Sequence, residues 1–142
     1  MVLEAQAKSS RHKEKIMSLK EYFDMTKGFG IISTADSKGV VDAAIYSKPH
    51  FMEDGTLAFI MRDRLTHKNI EQNPHATYLF IEDGQGYSGK RLFMTKVSQE
   101  KNSPLLFSLK RRKTEVEKGE DLFLVFFKLE NELPLLGGEI NE

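Results

Sequence analysis

The sequence predicts a mainly β protein with flanking helices, folded as a small six-stranded antiparallel barrel. Three observations carry this. Six runs rich in β-branched and aromatic residues are spaced along the chain, and most are joined by short turns built on Gly, Asp and Ser, which makes neighbours pair as hairpins. Helical signals fall in only three places: before the first strand, between the third and fourth, and before the last. The 142 residues carry no internal repeat or low-complexity segment, so a single domain with its own core is expected.

Residues 1–15 are polar and basic without a periodic apolar face, and read as a loose arm or the fraying start of a helix. Ser18-x-x-Glu21 has the form of a capping box, opening a short helix that carries Leu19, Tyr22, Phe23 and Met25, with Gly28 placed to end it. Strands are predicted over 29–35, 40–51 and 56–61, with turns at Asp36-Ser37-Lys38-Gly39 and Glu53-Asp54-Gly55. A short helix over 66–72 is closed by Asn73-Pro74, and a strand follows over 75–82. The loop 83–89 holds three glycines and leads into a strand over 90–99. Ser103-Pro104 is an N-cap and first-turn pair for a helix reaching about Arg112, and 122–129, LFLVFFKL, is a largely buried last strand.

Composition excludes several classes. Lysine plus arginine equals aspartate plus glutamate, 21 each, so no net charge argues for nucleic-acid binding. The basic run Lys110-Arg111-Arg112-Lys113 sits at an expected helix C-terminus with Glu115, Glu117, Glu120 and Asp121 close behind, and reads as a solvated face. Cysteine is absent, which removes disulfides, thiolate metal sites and a cysteine nucleophile, and assigns any redox chemistry to a bound cofactor. His12, His50, His67 and His75 show no metal-ligand spacing. No run reaches membrane-spanning length and the N-terminus lacks a signal-peptide core, so a cytoplasmic protein with no membrane partner is expected.

The stretch 57–74, LAFIMRDRLTHKNIEQNP, is the richest in chemistry. A strand breaks into Arg62-Asp63-Arg64, and Thr66-His67-Lys68 then opens a helix. A hydroxyl, an imidazole and an ammonium at a helix start suit a phosphate monoester, which backbone N–H groups and the helix dipole also favour. The plainer reading is an N-cap with two solvated neighbours. No GxGxxG or Walker pattern occurs.

GIISTADSKGVVDAAIYSKPHFMEDGTLAFIM resembles the first three strands of the pyridoxamine 5′-phosphate oxidase-like FMN-binding split barrels, and THKNIEQNPHATYLFIED resembles the next segment of that family. GYSGKRLFMTKV is similar to the family's fifth strand and LFLVFFKLENELPLLGG to its last. The resemblance covers residues 16–138, leaving 1–15 as a flexible arm and 139–142 as an acidic tail. It implies FMN as cofactor. The family's aromatic–threonine pair falls on Met61 and Arg62, beside Ile60, and its Ser-Arg-Lys phosphate triplet on Thr66, His67 and Lys68. Histidine thus replaces the bidentate arginine, a loss that Arg62 or Arg64 could offset. Tyr46, Ser47 and Lys48 would line the other side of the cofactor. The family's arginine–glutamine pair falls on Lys90 and Arg91, so Arg91 would reach the flavin ring across a dimer interface; the plainer reading of Lys90-Arg91 is protection of a sheet edge.

The resemblance implies a homodimer with the cofactor at the interface, shared through the strands at 76–80 and 92–94. It also implies a flavin-dependent oxidoreductase of unassigned substrate, with no residue standing out as acid or base. The tryptophan and C-terminal segment of true pyridoxamine phosphate oxidases are missing, so that reaction is not expected. Alternatives are a non-enzymatic flavin or haem carrier, with His50, His67 or His75 as axial ligand, and a deazaflavin-dependent reductase.

Overall fold

The computed structural model describes residues 2–110 and 119–140, with side chains from residue 10 onward. Helix α1 spans Val2–Met25 and is followed by strands β1 (Gly28–Ala35), β2 (Val41–Tyr46), β3 (His50–Phe51) and β4 (Leu57–Arg62). Helix α2 (Leu65–Gln72), β5 (His75–Glu82), β6 (Gly89–Lys101), α3 (Pro104–Leu109) and β7 (Leu122–Pro134) complete the order. The strands form one curled antiparallel sheet, ordered β2-β1-β5-β6-β7-β4-β3. Register shifts between β6 and β7 leave Val97 and Glu130 as bulges, which bend these two 13-residue strands around the core.

Among the described residues seven strands replace the expected six because 40–51 is interrupted at Ser47-Lys48-Pro49. Pro49 has no N–H for a ladder, and Lys48 turns away to donate its ammonium to the Phe23 and Thr26 carbonyls at 2.7 and 2.6 Å. Those carbonyls lie at the C-terminal end of α1, where a cation also meets the negative end of the dipole. The two sheet edges, β2 and β3, are therefore joined by three residues, and the barrel is split between them.

The capping box does not start a helix. Ser18 lies within α1, which already runs from Val2, so the segment up to Lys15 belongs to the same helix. Ile16, Leu19 and Phe23 recur at helical spacing and plug the open end of the curled sheet, where the Phe23 ring lies 5.0 Å from Phe80 and 5.8 Å from Phe51. Gly28 is not a helix terminator but the first residue of β1, where a Cβ would lie 2.2 Å from the Ile81 carbonyl oxygen. The two turns form as expected. Asp36 and Asp54 accept from backbone N–H groups two residues on, and Gly39 and Gly55 take positive φ.

Strand alternation divides the apolar residues between two cores. Leu57, Phe59 and Met61 of β4 point into the barrel with Ile32, Tyr78, Phe80, Leu92, Val125 and Phe127. Ala58 and Ile60 point outward and meet Leu106 and Leu109 of α3 together with Leu122 and Leu124. Ser103 caps α3 as expected, its Oγ accepting from Leu106 N at 3.1 Å, but the helix ends at Leu109 rather than near Arg112. Residues 111–113 of the basic run lie outside the described residues. Among the described residues no helix is long and apolar enough to cross a membrane.

Candidate functional site

The split of the barrel opens as a groove of about 600 Å³ between β2, β4 and the start of α2. Its walls follow from the topology. On one side β2 is an edge strand. On the other, β3 covers only Leu57 and Ala58 of β4, so the rest of β4 presents an edge that no described strand pairs. Two strand edges that no described strand pairs thus border the groove, and their backbone groups offer donors and acceptors to a flat, heteroatom-rich ligand.

Of the ten residues expected to bind a cofactor, Tyr46, Ser47, Lys48, Ile60, Arg62 and Thr66 line this groove. The Tyr46 ring stands edge-on to Phe59, 6.3 Å between centroids, and its backbone carbonyl accepts from the Tyr78 hydroxyl at 3.2 Å. That hydroxyl crosses the strand at Gly30, where a Cβ would sit 1.9 Å from it, so a glycine is required for the bond that steadies this wall. Burial pushes the Tyr46 phenol up, although the Thr66 hydroxyl and the Arg64 charge pull the other way. Arg62 is half exposed and leans toward Glu120, 3.5 Å between Nη1 and Oε1, while Glu120 Oε2 is buried without a hydrogen bond among the described residues.

Four expected residues are not on the groove. Met61 is fully buried inside the barrel, because β4 alternation sends its side chain to the core face. His67 is also buried, stacked on Phe123 and bonded to Gln99 and Glu71. It occupies the inner face of α2 and is not presented to a ligand there. Lys68 is exposed on the outer face of the same helix. Arg91 is tied to the C-terminal turn, donating through Nε to the Pro134 carbonyl at 3.0 Å and through Nη2 to the Gly137 carbonyl. Nor is Thr66 the N-cap. Arg64 holds that position, with no side-chain cap, and Thr66 is buried in the first turn.

The groove also recruits residues outside the expected ten. Asp42, Ala44, His50, Arg64, Leu65 and Lys110 line it. Alternation along β2 puts Asp42, Ala44 and Tyr46 on one face, a signal available from sequence once the groove side is known. Lys110 arrives from a distant helix and carried no local signal. Among the described residues the lining holds four basic side chains, Lys48, Arg62, Arg64 and Lys110, against one carboxylate, Asp42. Such a surface attracts anions. Among the described residues no cluster of histidine and carboxylate side chains is arranged to hold a metal.

The lateral surface expected from 76–80 and 92–94 is mostly interior. Ala76, Tyr78, Phe80, Leu92 and Met94 are core residues, and only Thr77, Leu79 and Phe93 face outward.

No family model and no curated protein matches the sequence. Solved structures do match in fold. An FMN-binding protein from Syntrophomonas wolfei subsp. wolfei superposes with a TM-score of 0.66 at 16% identity, over 98% of this chain and 100% of that one. A protein from Listeria innocua assigned as a pyridoxamine 5′-phosphate oxidase gives 0.54 at 18% identity, over 86% and 96%. An F420 reductase gives 0.58 at 13% identity, over 75% and 89%. The curled antiparallel sheet, its split and its flanking helices are thus those of the pyridoxamine 5′-phosphate oxidase-like split barrels, and this chain has their fold.

Proposed function

We propose that this protein binds FMN in the groove between β2 and β4 and acts, as a homodimer, as a flavin-dependent oxidoreductase. The observation that carries the reading is the groove itself. It is open on two strand edges, walled by Tyr46, Ile60 and Phe59, and basic at the β4–α2 turn. A flavin nucleotide has matching parts: a flat ring with apolar faces and a polar edge, and a phosphate on a flexible arm. The Arg62 and Arg64 guanidinium groups and the Thr66 hydroxyl suit the phosphate, and the strand edges suit the ring. Of the sequence-derived set, Tyr46, Ser47, Ile60, Arg62 and Thr66 are retained as direct contacts. Lys48 acts through α1, and Arg91 is assigned to a partner copy's groove. The flavin supplies hydride or electron transfer, and the chain supplies binding, orientation and charge.

Support for the homodimer comes from the outer face of the sheet. Val41 is 78% exposed on it, and beside Phe93, Ser33 and Thr77 it lines a shallow depression of about 550 Å³. An apolar face of this kind suits a second copy.

His50 gives haem a specific foothold as the second reading. It lines the groove, whereas His67 is buried under α2 and His75 lies on the opposite face near Thr95. A deazaflavin would use the same groove and phosphate contacts as FMN. One experiment separates these: purified protein is denatured and the released small molecule is identified by mass. FMN is the expected result. Recovery of haem or a deazaflavin instead would replace this reading.

A further inference from the structure

We propose that Lys110 completes the anion-holding end of the groove, so that Arg62, Arg64 and Lys110 together select a phosphorylated ligand over its dephosphorylated form. The position of Lys110 is built, not incidental. Helix α3 is started by the Ser103 cap and Pro104, and is pinned by Leu106, which is fully buried against Ala58, Leu122 and Leu124. Leu109 packs on the same cluster, and Lys110 is the next residue, at the C-cap. Ile60 belongs both to this outer cluster and to the groove lining, so the small core under α3 sets the lysine beside the groove wall. Arg62 shares that outward face of β4 with Ala58 and Ile60, four and two residues away along the strand.

The charges leave room for a ligand. Neither Arg64 nor Lys110 forms an ion pair among the described residues, and Arg62 reaches its carboxylate partner only at 3.5 Å. Three cations line one groove in which Asp42 is the one carboxylate among the described residues, and their mutual repulsion eases when an anion joins them. A phosphate monoester, with close to two charges and three acceptor oxygens, can take donors from all three. Lysine is suited to this as a mobile point charge, closing on a phosphate whose planar contacts the arginines already make.

The identity of the ligand as a flavin rests on the function proposed above, but the anion site does not. The test titrates wild type, Lys110→Ala and Lys110→Arg with FMN, riboflavin and inorganic phosphate, after circular dichroism has shown that all three proteins fold alike. We expect Lys110→Ala to raise the FMN dissociation constant about tenfold or more. Riboflavin affinity should hardly change, and Lys110→Arg should recover most of the loss. If Lys110→Ala binds FMN as the wild type does, the role of Lys110 is overturned while the flavin reading stands. If the wild type binds neither flavin but takes phosphate in a Lys110-dependent way, the anion site stands and the flavin reading falls. No response to any of the three ligands overturns both.

Discussion

The His67 imidazole lies flat on the Phe123 ring, 3.7 Å between centroids and 13° between planes. Its Nε2 is 3.0 Å from Gln99 Oε1 and 3.1 Å from Glu71 Oε1. Both neighbours are acceptors, so Nε2 carries the proton and donates. Gln99 in turn donates its amide to Glu71 at 3.0 Å, and Lys96 approaches the other Glu71 oxygen at 3.5 Å. The residue whose type and spacing suit a phosphate ligand is instead the peg that fastens α2 to β6 and β7.

His67→Ala should therefore destabilise the fold and leave ligand binding nearly intact. Losing the stacked ring and one hydrogen bond from a buried site is worth about 2–4 kcal/mol. Urea unfolding of the two proteins measures this, with FMN titration of the variant at a temperature where it stays folded. A variant with unchanged stability but lost FMN binding would return His67 to the site.

Glu71 links the same network to pH. Its carboxyl is held below the usual glutamate value of 4.5, first by the Gln99 hydrogen bond and then by the Lys96 and His67 charges. A carboxyl depressed in the folded state stabilises it fully above the unfolded value and loses that contribution as pH falls through the folded one. The window is therefore the acid side, below about pH 4.5. Glu71→Gln should be somewhat less stable than wild type at pH 7, and the gap should shrink as pH drops toward 3. Because Glu71 is half exposed the effect is small, and denaturant midpoints at several pH values are the sensitive readout. A gap that widens with acid would contradict the network.

The proposed phosphate contact distinguishes Arg64 from Lys68, four residues apart in sequence. Arg64 lines the groove; Lys68 is exposed on α2 away from it. Arg64→Ala should weaken FMN binding by about 1.5–3 kcal/mol, the worth of a hydrogen bond to a charged group. Lys68→Ala should cost a few tenths at most, through long-range attraction that added salt removes. Equal losses in both variants, or a larger one at Lys68, would move the phosphate to the outer face of α2.

Gly30 offers a test of the groove wall that does not touch the ligand. A Cβ there would overlap the Tyr78 hydroxyl, and Tyr78 is fully buried with nowhere to retreat. Gly30→Ala should break the bond to the Tyr46 carbonyl and destabilise the protein by about 1–3 kcal/mol. It should also loosen Tyr46, so that iodide quenches tyrosine fluorescence more strongly than in wild type. Unchanged stability would mean that the wall adjusts freely.

Sequence made legible what local chemistry encodes. The Asp36 and Asp54 turns, the Ser103 cap and the apolar run 122–129 each depend on residues within a few positions, and each formed. The parts that stayed illegible depend on which way a side chain faces. Thr66, His67 and Lys68 were legible as a helix start, but on a helix they splay by about 100° each, so only one can face a given ligand. Which one does is fixed by Phe123, which lies 56 residues beyond His67. Met61 lies on the core face and not on the groove for the related reason that strand alternation admits two answers until the sheet's inner face is known. Ser18-x-x-Glu21 matched a capping pattern inside a longer helix, where the motif has no free N–H groups to satisfy. Lys110 reaches the groove only because a separate small core carries α3 there.

The outer sheet face leads to the last expectation, that the protein is a dimer through it. Val41 and Phe93 line the same shallow depression, and neither side chain belongs to the groove. A lysine at each position places two charges where a partner copy would bury them, and an unpaired buried charge costs several kcal/mol. Light scattering should give a dimer for the wild type at micromolar concentration, and a monomer or a much weaker dimer for Val41→Lys/Phe93→Lys. A cofactor completed by the partner's Arg91 should bind more weakly in that variant, even though every groove residue of its own chain is intact. If the variant becomes monomeric and still binds FMN with wild-type affinity, the groove is complete within one chain, and Arg91 has no place in it.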